Sequence, residues 1–151
     1  MSIHTVTTAS PIGTLKLYAD QSQLISVQFV EEEGSIETDH PILLKAMKQL
    51  HEFFNGERKV FDLPLKLEGT AFQMAVWNAL QDIPYGKTCS YQDVAETVRR
   101  PKAVRAVGQA NKANRFPIII PCHRVIGKNK KLTGYAGTQI DKKEILLSLE
   151  N

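Results

Sequence analysis

The pentapeptide Pro121-Cys122-His123-Arg124-Val125 brings together the residue types best suited to covalent chemistry in this chain of 151 residues. A cysteine thiolate is a strong nucleophile, but an ordinary thiol, with a pKa of about 8.5, is ionised to only a small extent at neutral pH. A histidine that accepts the proton, nearby positive charge and a carboxylate that orients the imidazole would raise the thiolate fraction. Cys122 is therefore a candidate nucleophile, and His123, its neighbour in the sequence, is a candidate for the activating histidine. The alternative is an inert buried cysteine.

The remaining cysteine and histidines favour neither a disulfide framework nor a metal centre. Cys89 and Cys122 are the two cysteines, and neither belongs to a Cys-x-x-Cys pair. His4, His40 and His51 have no partner at the spacing typical of metal ligands. We therefore expect one reactive sulfur and no metal ion.

Positive charge is concentrated in the second half of the chain, although the net charge is only +3. Residues 1–68 carry 6 Lys and Arg against 10 Asp and Glu, whereas residues 69–151 carry 13 against 6. Residues 97–140 contain no acidic side chain. Such a block favours a polyanionic partner such as a nucleic acid, with a solvated basic face as the alternative. The basic residues of the block are Arg99, Arg100, Lys102, Arg105, Lys112, Arg115, Arg124, Lys128, Lys130 and Lys131.

Residues 1–68 predict the first of two domains. Alternating apolar and polar residues over residues 1–30 indicate strands, and the Glu-rich stretch over residues 31–40 indicates an exposed loop. Pro41 then begins an amphipathic helix over residues 41–55, which an Asn-Gly pair ends.

Residues 69–151 predict a second domain that is mainly helical and contains the pentapeptide. Thr70 is a suitable N-cap for a first helix. Ser90, with Asp93 three residues later, has the pattern of a capping box and predicts a second helix through Val98.

Further elements are expected on both sides of the reactive thiol. Pro101 is placed to open a third helix through about Asn111, so that the second and third helices form a helix-turn-helix. Residues 118–120 indicate a short buried strand that ends at Cys122. Residues 142–150 indicate a closing amphipathic helix.

Composition and apolar runs exclude several classes of protein. With 42% hydrophobic and 23% charged residues, the chain has ordinary globular usage rather than that of disordered or collagen-like proteins. Its longest apolar run, residues 116–121, is far shorter than the roughly 18 residues of a membrane span. Residues 1–20 lack the basic start and continuous apolar stretch of a signal peptide. We expect a cytoplasmic protein with no membrane partner.

The pentapeptide resembles the active-site signature of the O6-alkylguanine-DNA alkyltransferases, also called methylated-DNA–protein-cysteine methyltransferases. The resemblance covers residues 70–150 well and the first half only loosely. It implies an α+β fold: a small N-terminal ribonuclease-H-like α/β lobe over residues 1–68, then a helix-turn-helix, winged-helix-like domain over residues 69–151 that binds DNA and holds the active site. The other matching segments are Phe72-Gln73-x-x-Val76-Trp77, Ile83-Pro84-Tyr85-Gly86-Lys87-Thr88, Ser90-Tyr91, Arg105-Ala106-Val107-Gly108, Asn114 and Gly134-Tyr135-Ala136-Gly137.

The resemblance implies DNA repair by direct reversal. The alkyl group of O6-alkylguanine, and of O4-alkylthymine, in double-stranded DNA would be transferred irreversibly to Cys122, leaving a stable thioether. Each molecule of this enzyme would react once, as a monomer and without a cofactor.

The resemblance also implies roles for individual residues near the thiol. His123 would draw the Cys122 proton through a water, and Glu150 would orient His123. Tyr91 would donate a proton to the departing guanine. The spacing around the last helix differs from that of the family, which makes Glu144 a rival for the orienting role. We prefer Glu150, because it adjoins the apolar stripe of that helix whereas Glu144 lies in its polar first turn.

Five further residues match positions that contact DNA or the target base. Arg105 matches the finger residue that enters the base stack from the minor groove and replaces the extruded nucleotide. Asn114 matches the residue that links the recognition helix to the active site and braces the turn near the thiol. Val125, Tyr135 and Ala136 match the base pocket.

Other classes of protein explain only part of these observations. A winged-helix transcription regulator would account for the basic helices but not for the pentapeptide. A cysteine hydrolase would use a Cys-His pair, but it would not account for Arg105 or the acid-free block. Related proteins that lack the cysteine only recognise lesions, and Cys122 argues against that reading.

Overall fold

The computed structural model describes residues 2–31, 37–127 and 140–151, and the chain divides into two units, Met1–Leu67 and Glu68–Asn151. In the first unit, three strands form an antiparallel sheet in the order β1-β2-β3. The strands are β1 (His4–Thr8), β2 (Thr14–Ala19) and β3 (Leu24–Val30), and helix α1 (Pro41–Phe54) packs against the sheet.

The alternation expected for these strands is clearest in β2, the central strand. Leu15, Leu17 and Ala19 are completely buried, whereas the residues between them are partly exposed. Successive side chains of a strand point to opposite faces, so these three residues form one apolar face. Leu43 and Leu50 of α1 contribute to the same core.

Helix α1 confirms the helix predicted over residues 41–55. Pro41 is its first residue, and Asn55 is its C-cap. The N-cap is His40, whose Nδ1 accepts a hydrogen bond from the Ile42 amide at 3.2 Å, while its Nε2 lies 2.8 Å from the Asp20 carbonyl oxygen. The sequence alone did not suggest this capping role for His40.

The second unit holds four helices among its described residues. Its elements, in chain order, are α2 (Ala71–Gln81), β4 (Cys89–Ser90), α3 (Tyr91–Thr97), α4 (Val104–Lys112), a 3-10 turn (Cys122–Arg124), β5 (Val125–Ile126) and α5 (Ile140–Leu149).

Both helix starts predicted from capping residues in this unit are confirmed. The Thr70 side chain accepts from the Gln73 amide at 3.1 Å, and the Gln73 side chain accepts from the Thr70 amide at 3.0 Å. Ser90 and Asp93 form the same reciprocal pair at the start of α3. Each pair satisfies two amides that a helix N-terminus otherwise leaves without partners.

Helices α3 and α4 pack against each other, but the prediction that Pro101 opens the second of them is wrong. Arg99 ends the preceding helix in the left-handed region, with φ of 62°. Pro101 then occupies the second position of a turn, in which the Ala103 amide donates to the Arg100 carbonyl at 2.8 Å. Proline is favoured at this position because its ring fixes φ near the value that the turn needs. Helix α4 therefore begins at Val104.

The buried strand predicted over residues 118–120 is also wrong. These residues form a buried turn in which the Ile120 amide donates to the Phe116 carbonyl at 2.8 Å. Ile118 has φ of 78°, a conformation that is costly for a β-branched residue. Cys122 is consequently the first residue of a 3-10 turn and does not end a strand.

Two contacts connect the elements around this turn. Strands β4 and β5 pair in parallel, with Cys89 opposite Val125, so that α3 begins beside the pentapeptide. The Trp77 indole Nε1 donates to the Ala110 carbonyl at 2.9 Å and joins α2 to α4. Trp77 is 4% exposed and belongs to the core of this unit.

Candidate active site

The Cys122 side chain is buried at the start of the 3-10 turn. Its amide donates to the Ile120 carbonyl at 2.7 Å, and Asn111 Nδ2 donates to the Cys122 carbonyl at 3.4 Å. Both backbone polar groups of Cys122 are therefore hydrogen-bonded, and the residue is only 3% exposed. The local backbone therefore fixes where the sulfur lies.

Asn114 supports this turn from the end of α4. Its Nδ2 donates to the Ile120 carbonyl at 3.0 Å, and its Oδ1 accepts from the Phe116 amide at 2.9 Å. Its side chain also interacts with the Cys122 thiol by a hydrogen bond that favours the thiolate. Asn114 thus contacts both ends of the buried turn that precedes the reactive sulfur.

Burial determines the state of the Cys122 thiol in the protein without DNA. Burial raises the pKa of Cys122 to about 11, and the hydrogen bond from Asn114 and the charge of Lys143 oppose that rise only in part. The expectation that the surroundings raise the thiolate fraction is therefore not met in this state. A buried thiolate loses hydration, and the neighbouring groups replace only some of it.

His123 and Glu150 form a buried pair next to the thiol. His123 Nε2 lies 2.7 Å from Glu150 Oε2, and both side chains are almost fully buried. Burial lowers the pKa of His123 below its usual range, although the Glu150 carboxylate acts in the opposite direction. The imidazole is therefore neutral at pH 7. With the carboxylate ionised, the ring proton lies on Nε2, and Nδ1 is the acceptor atom of the ring.

The Glu150 carboxylate has two further partners that the sequence analysis did not anticipate. Arg124 Nε donates to Oε1 at 2.9 Å and Arg124 Nη2 donates to Oε2 at 2.9 Å, while the Gly86 amide donates to Oε1 at 3.2 Å. Burial alone would raise the pKa of Glu150, but the hydrogen bonds from His123 and Arg124 outweigh it and lower the pKa to about 2. The carboxylate is therefore ionised throughout the neutral range.

Arg124 also connects the site to the turn after α2. Its Nη1 donates to the Ile83 carbonyl at 2.7 Å, and its guanidinium carbon lies 5.6 Å from the centre of the Tyr85 ring. The Tyr85 hydroxyl donates to the Leu149 carbonyl at 3.3 Å. Gly86 has φ of 79°, and a Cβ there would lie 3.2 Å from the Glu150 carbonyl oxygen, so the turn requires glycine at this position.

Three other residues complete the described part of the site. Tyr91 is the first residue of α3, and its ring centre lies 6.0 Å from Lys143 Nζ. Val125 is fully buried in β5, and its carbonyl accepts a hydrogen bond from Lys143. Lys143 was not among the predicted site residues, although its spacing of three residues from Leu146 placed it on the apolar stripe of α5.

The remaining candidate residues lie in different settings. Arg105 is exposed on α4, as are Gln109 and Lys112 one and two turns later. Glu144 is exposed on α5 and, unlike Glu150, does not pair with His123 in the structure. Tyr135 and Ala136 lie outside the described residues.

The described residues hold neither a cluster suited to a metal ion nor a long apolar helix. Within residues 2–31, 37–127 and 140–151, no group of three His, Cys, Asp or Glu side chains could bind a metal. None of the helices described in the structure is long and apolar enough to cross a membrane.

Comparison with known proteins connects this arrangement to a family. Residues 71–151 match the family model described as "6-O-methylguanine DNA methyltransferase, DNA binding domain", and residues 3–67 match "6-O-methylguanine DNA methyltransferase, ribonuclease-like domain". The chain belongs to this family. The two models confirm the expected fold class, a ribonuclease-like part followed by a DNA-binding part.

Individual relatives are similar over almost the whole chain. The "Methylated-DNA–protein-cysteine methyltransferase, constitutive" of Bacillus subtilis is 49% identical over 154 residues, which cover 95% of this chain and 93% of the relative. The crystal structure of Mycobacterium tuberculosis O6-methylguanine methyltransferase superposes with a TM-score of 0.88 at 44% identity, covering 99% of this chain and 93% of that chain. Mycobacterium tuberculosis OGT in complex with DNA gives a TM-score of 0.88 at 46% identity, covering 97% and 92%. These similarities confirm the expected enzyme class, a methylated-DNA–protein-cysteine methyltransferase, and the expected function, DNA repair by direct reversal.

The two candidate acids on α5 can be separated by activity. Glu150→Gln should slow alkyl transfer at pH 7 by more than about tenfold, because the neutral amide cannot stabilise an imidazolium at His123. Glu144→Gln should leave the rate close to that of the wild type. Single-turnover rates of both variants test this, and the orienting role passes to Glu144 if the pattern is reversed in folded proteins.

The pH dependence of stability follows from the same pair. Glu150 has a folded pKa of about 2, below its ordinary 4.5, so its contribution is complete above pH 4.5 and is lost as the pH falls toward 2. The folded pKa of His123 is also lowered, so stability falls as the unfolded histidine is protonated below about pH 6.5. Thermal unfolding should therefore show a midpoint that decreases on acidification from neutral pH. Glu150→Gln should make the decrease between pH 4.5 and 2 smaller than in the wild type, and an unchanged profile in that variant would contradict the assignment.

Proposed function

We propose that Cys122 is the residue that accepts the alkyl group from O6-alkylguanine in double-stranded DNA. The thiolate sulfur attacks the alkyl carbon, the bond from that carbon to guanine O6 breaks, and its electron pair remains on the guanine. A thioether forms on Cys122 and guanine is restored. The observation that carries this proposal is that Cys122, His123 and Glu150 are all buried and that His123 is hydrogen-bonded to Glu150, in a chain that belongs to this family.

The proton of the thiol leaves through His123 in this proposal. His123 is neutral and has an acceptor nitrogen, and the Glu150 carboxylate stabilises the imidazolium that forms. A water between sulfur and imidazole would carry the proton, as the resemblance implies. Because the resting thiol has a raised pKa, proton removal is a substantial part of the barrier, and a positioned base lowers it.

The departing guanine is a better leaving group when it is protonated as the bond breaks. We assign this donor role to Tyr91, which begins α3 beside the signature residues of β5. Backbone groups of Val125 would bind the base, since a carbonyl oxygen has two lone pairs and Lys143 uses one. Tyr135 and Ala136 are proposed to complete the base pocket.

The target base lies within a duplex and must be extruded to reach a buried sulfur. Extrusion costs a few kcal/mol of stacking and pairing, and a side chain that fills the vacated space offsets part of it. Arg105 suits this role because it is long, charged and exposed on α4, while Val107 and Ala110 bury the other side of the helix. Asn114 would connect this helix to the turn before Cys122.

The substrate and setting follow from the same chemistry. O4-alkylthymine presents an alkyl group on an equivalent exocyclic oxygen, and we include it as a second substrate. We propose that the protein acts as a monomer on DNA in the cytoplasm, where a reducing environment keeps the acceptor thiol available.

The proposed acceptor can be identified by mass spectrometry. After incubation with duplex DNA containing O6-methylguanine, the peptide that contains Cys122 should gain the mass of one CH₂ group, with at most one methyl group per protein molecule. Cys122→Ala should transfer nothing. Cys89→Ser is the matched control and should keep full transfer, because no histidine is hydrogen-bonded to Cys89 among the described residues and the charge of Asp93 disfavours its thiolate. Methylation of Cys89, or repeated turnover, would contradict the proposal.

The role of Arg105 can be tested with two substrates. Arg105→Ala should slow repair of duplex DNA by at least about tenfold but leave reaction with free O6-benzylguanine base nearly unchanged, because only the duplex requires extrusion. Lys112→Ala is a matched control that removes a charge from the same exposed face. If Arg105 only contacts phosphate, both variants should weaken DNA binding without a specific loss in the chemical step. Each should also reduce the slope of the logarithm of the binding constant against the logarithm of the salt concentration by about one.

A further inference from the structure

Asn111, near the end of α4, has a buried carboxamide beside the candidate nucleophile. The residue is only 4% exposed, and its Nδ2 donates to the Cys122 carbonyl at 3.4 Å. That carbonyl belongs to the peptide bond between Cys122 and His123. The carboxamide therefore lies against the bond that joins the nucleophile to its base.

The side-chain oxygen of Asn111 is a buried acceptor that needs a donor. The Cys122 carbonyl can only accept hydrogen bonds, so the nitrogen of the carboxamide must face it and Oδ1 must lie on the other side of the amide group. Within residues 2–31, 37–127 and 140–151, Oδ1 is buried and has no hydrogen-bond partner. An unpaired buried polar atom is costly, and internal waters commonly pair with such atoms in native proteins. Oδ1 of Asn111 is therefore suited to binding an internal water.

The proton transfer proposed for Cys122 requires a water with particular partners. The side chain of Asn114 donates to the sulfur, which leaves the thiol proton to be donated to the water. His123 is completely buried and accepts through Nδ1, so the water that donates to it is an internal one. An internal water typically makes about three hydrogen bonds. After accepting from the thiol and donating to His123, this water has a second O–H that needs an acceptor.

We propose that Asn111 is a positioning residue whose Oδ1 accepts the second hydrogen bond of the water that carries the proton from Cys122 to His123. This inference rests on the proposed roles of Cys122 as the acceptor of the alkyl group and of His123 as its base. The thiol proton passes to the water oxygen, and the water passes one of its own protons to His123 Nδ1. The products are a thiolate and an imidazolium, the water is regenerated, and Asn111 neither gains nor loses a proton.

The position of Asn111 would fix the orientation of this water as well as its place. With acceptors at His123 Nδ1 and Asn111 Oδ1, both protons of the water are directed away from the sulfur, and a lone pair of its oxygen faces the thiol proton. An apolar side chain at position 111 would leave one O–H without an acceptor in a buried site. The water would then bind more weakly and would spend less time in the reactive orientation.

A crystal structure of the wild-type protein can locate the water directly. A water oxygen is expected within about 2.6–3.2 Å of both Asn111 Oδ1 and His123 Nδ1. The same position should be empty of water in Asn111→Leu, which has a similar volume and no polar side-chain atom. A wild-type structure in which a protein group donates to Asn111 Oδ1, or in which no water lies between these two atoms, would overturn the proposal.

A double-mutant cycle with His123 tests whether the water acts in the proton transfer. The rate measured is single-turnover transfer from free O6-benzylguanine at pH 7, which avoids any effect on DNA binding. Asn111→Leu should slow transfer by about fivefold, the effect of one net hydrogen bond. His123→Gln can still donate to Glu150 but is a poor base, and it should slow transfer by about 100-fold or more. In the His123→Gln protein, Asn111→Leu should cost less than about twofold, because the water has no base to serve.

A purely structural role predicts a different pattern in this cycle. If Asn111 only anchors the Cys122 carbonyl, Asn111→Leu should lower the rate by the same factor with His or Gln at position 123, and equal factors would overturn the proposal. A wild-type rate for Asn111→Leu would overturn it as well. Gln109→Leu is the matched control, since it removes a carboxamide from the exposed face of the same helix, and it should leave the rate unchanged.

The test remains decisive if a variant is unstable or if the proposed function is itself wrong. If Asn111→Leu does not fold, Asn111→Ala takes its place in the cycle, and if neither folds, the wild-type crystal structure decides by the presence or absence of the water. Failure of the proposed function would appear as an unmodified Cys122 in the wild-type protein after incubation with methylated DNA. Failure of this inference alone would leave Cys122 methylated, with equal factors in the cycle or no water at Asn111.

Discussion

The structure of the site depends on one buried carboxylate. Glu150 accepts hydrogen bonds from His123, Arg124 and the Gly86 amide, which belong to two turns that are far apart in the sequence. A buried charge is tolerated only when it is paired and its remaining acceptor positions are occupied, and removing one partner leaves a cost of several kcal/mol. The requirement to satisfy Glu150 therefore fixes the 3-10 turn, the turn after α2 and the end of α5 relative to one another within the second unit.

The same burial restrains the nucleophile. Burial raises the pKa of Cys122 well above its ordinary value, so that the thiol form predominates at neutral pH. A protein that reacts once gains from such restraint, because a thiolate exposed to oxidants or other electrophiles would be consumed without repairing DNA. Under the proposed mechanism, His123 supplies the base that permits reaction when a substrate carbon is in place.

Local signals in the sequence predicted the helices well and the turns poorly. The capping residues Thr70 and Ser90 and the first residue Pro41 mark helix starts because each has a specific role at a helix N-terminus. The prediction that Pro101 begins a helix was wrong because proline is equally suited to the second position of a turn. The strand predicted over residues 118–120 was wrong because a short apolar run does not distinguish a buried strand from a buried turn. The positive φ of Ile118 has no signal in the sequence.

The site residues could be predicted where helical periodicity decides the matter, but not where contacts between distant segments decide it. Helical periodicity favoured Glu150 over Glu144, since only the former lies on the buried face of α5, and the structure places it against His123. Periodicity also placed Lys143 on that face, but a lysine among apolar residues is normally read as extending its charge to solvent. Its complete burial depends on the fold that brings His123 and Glu150, which are 27 residues apart in the sequence, into hydrogen-bond contact, because the surroundings of a charge depend on which segments pack around it. Charged residues on the buried face of a helix that follows a nucleophile are therefore candidates for setting its pKa, and their assignment requires the tertiary structure.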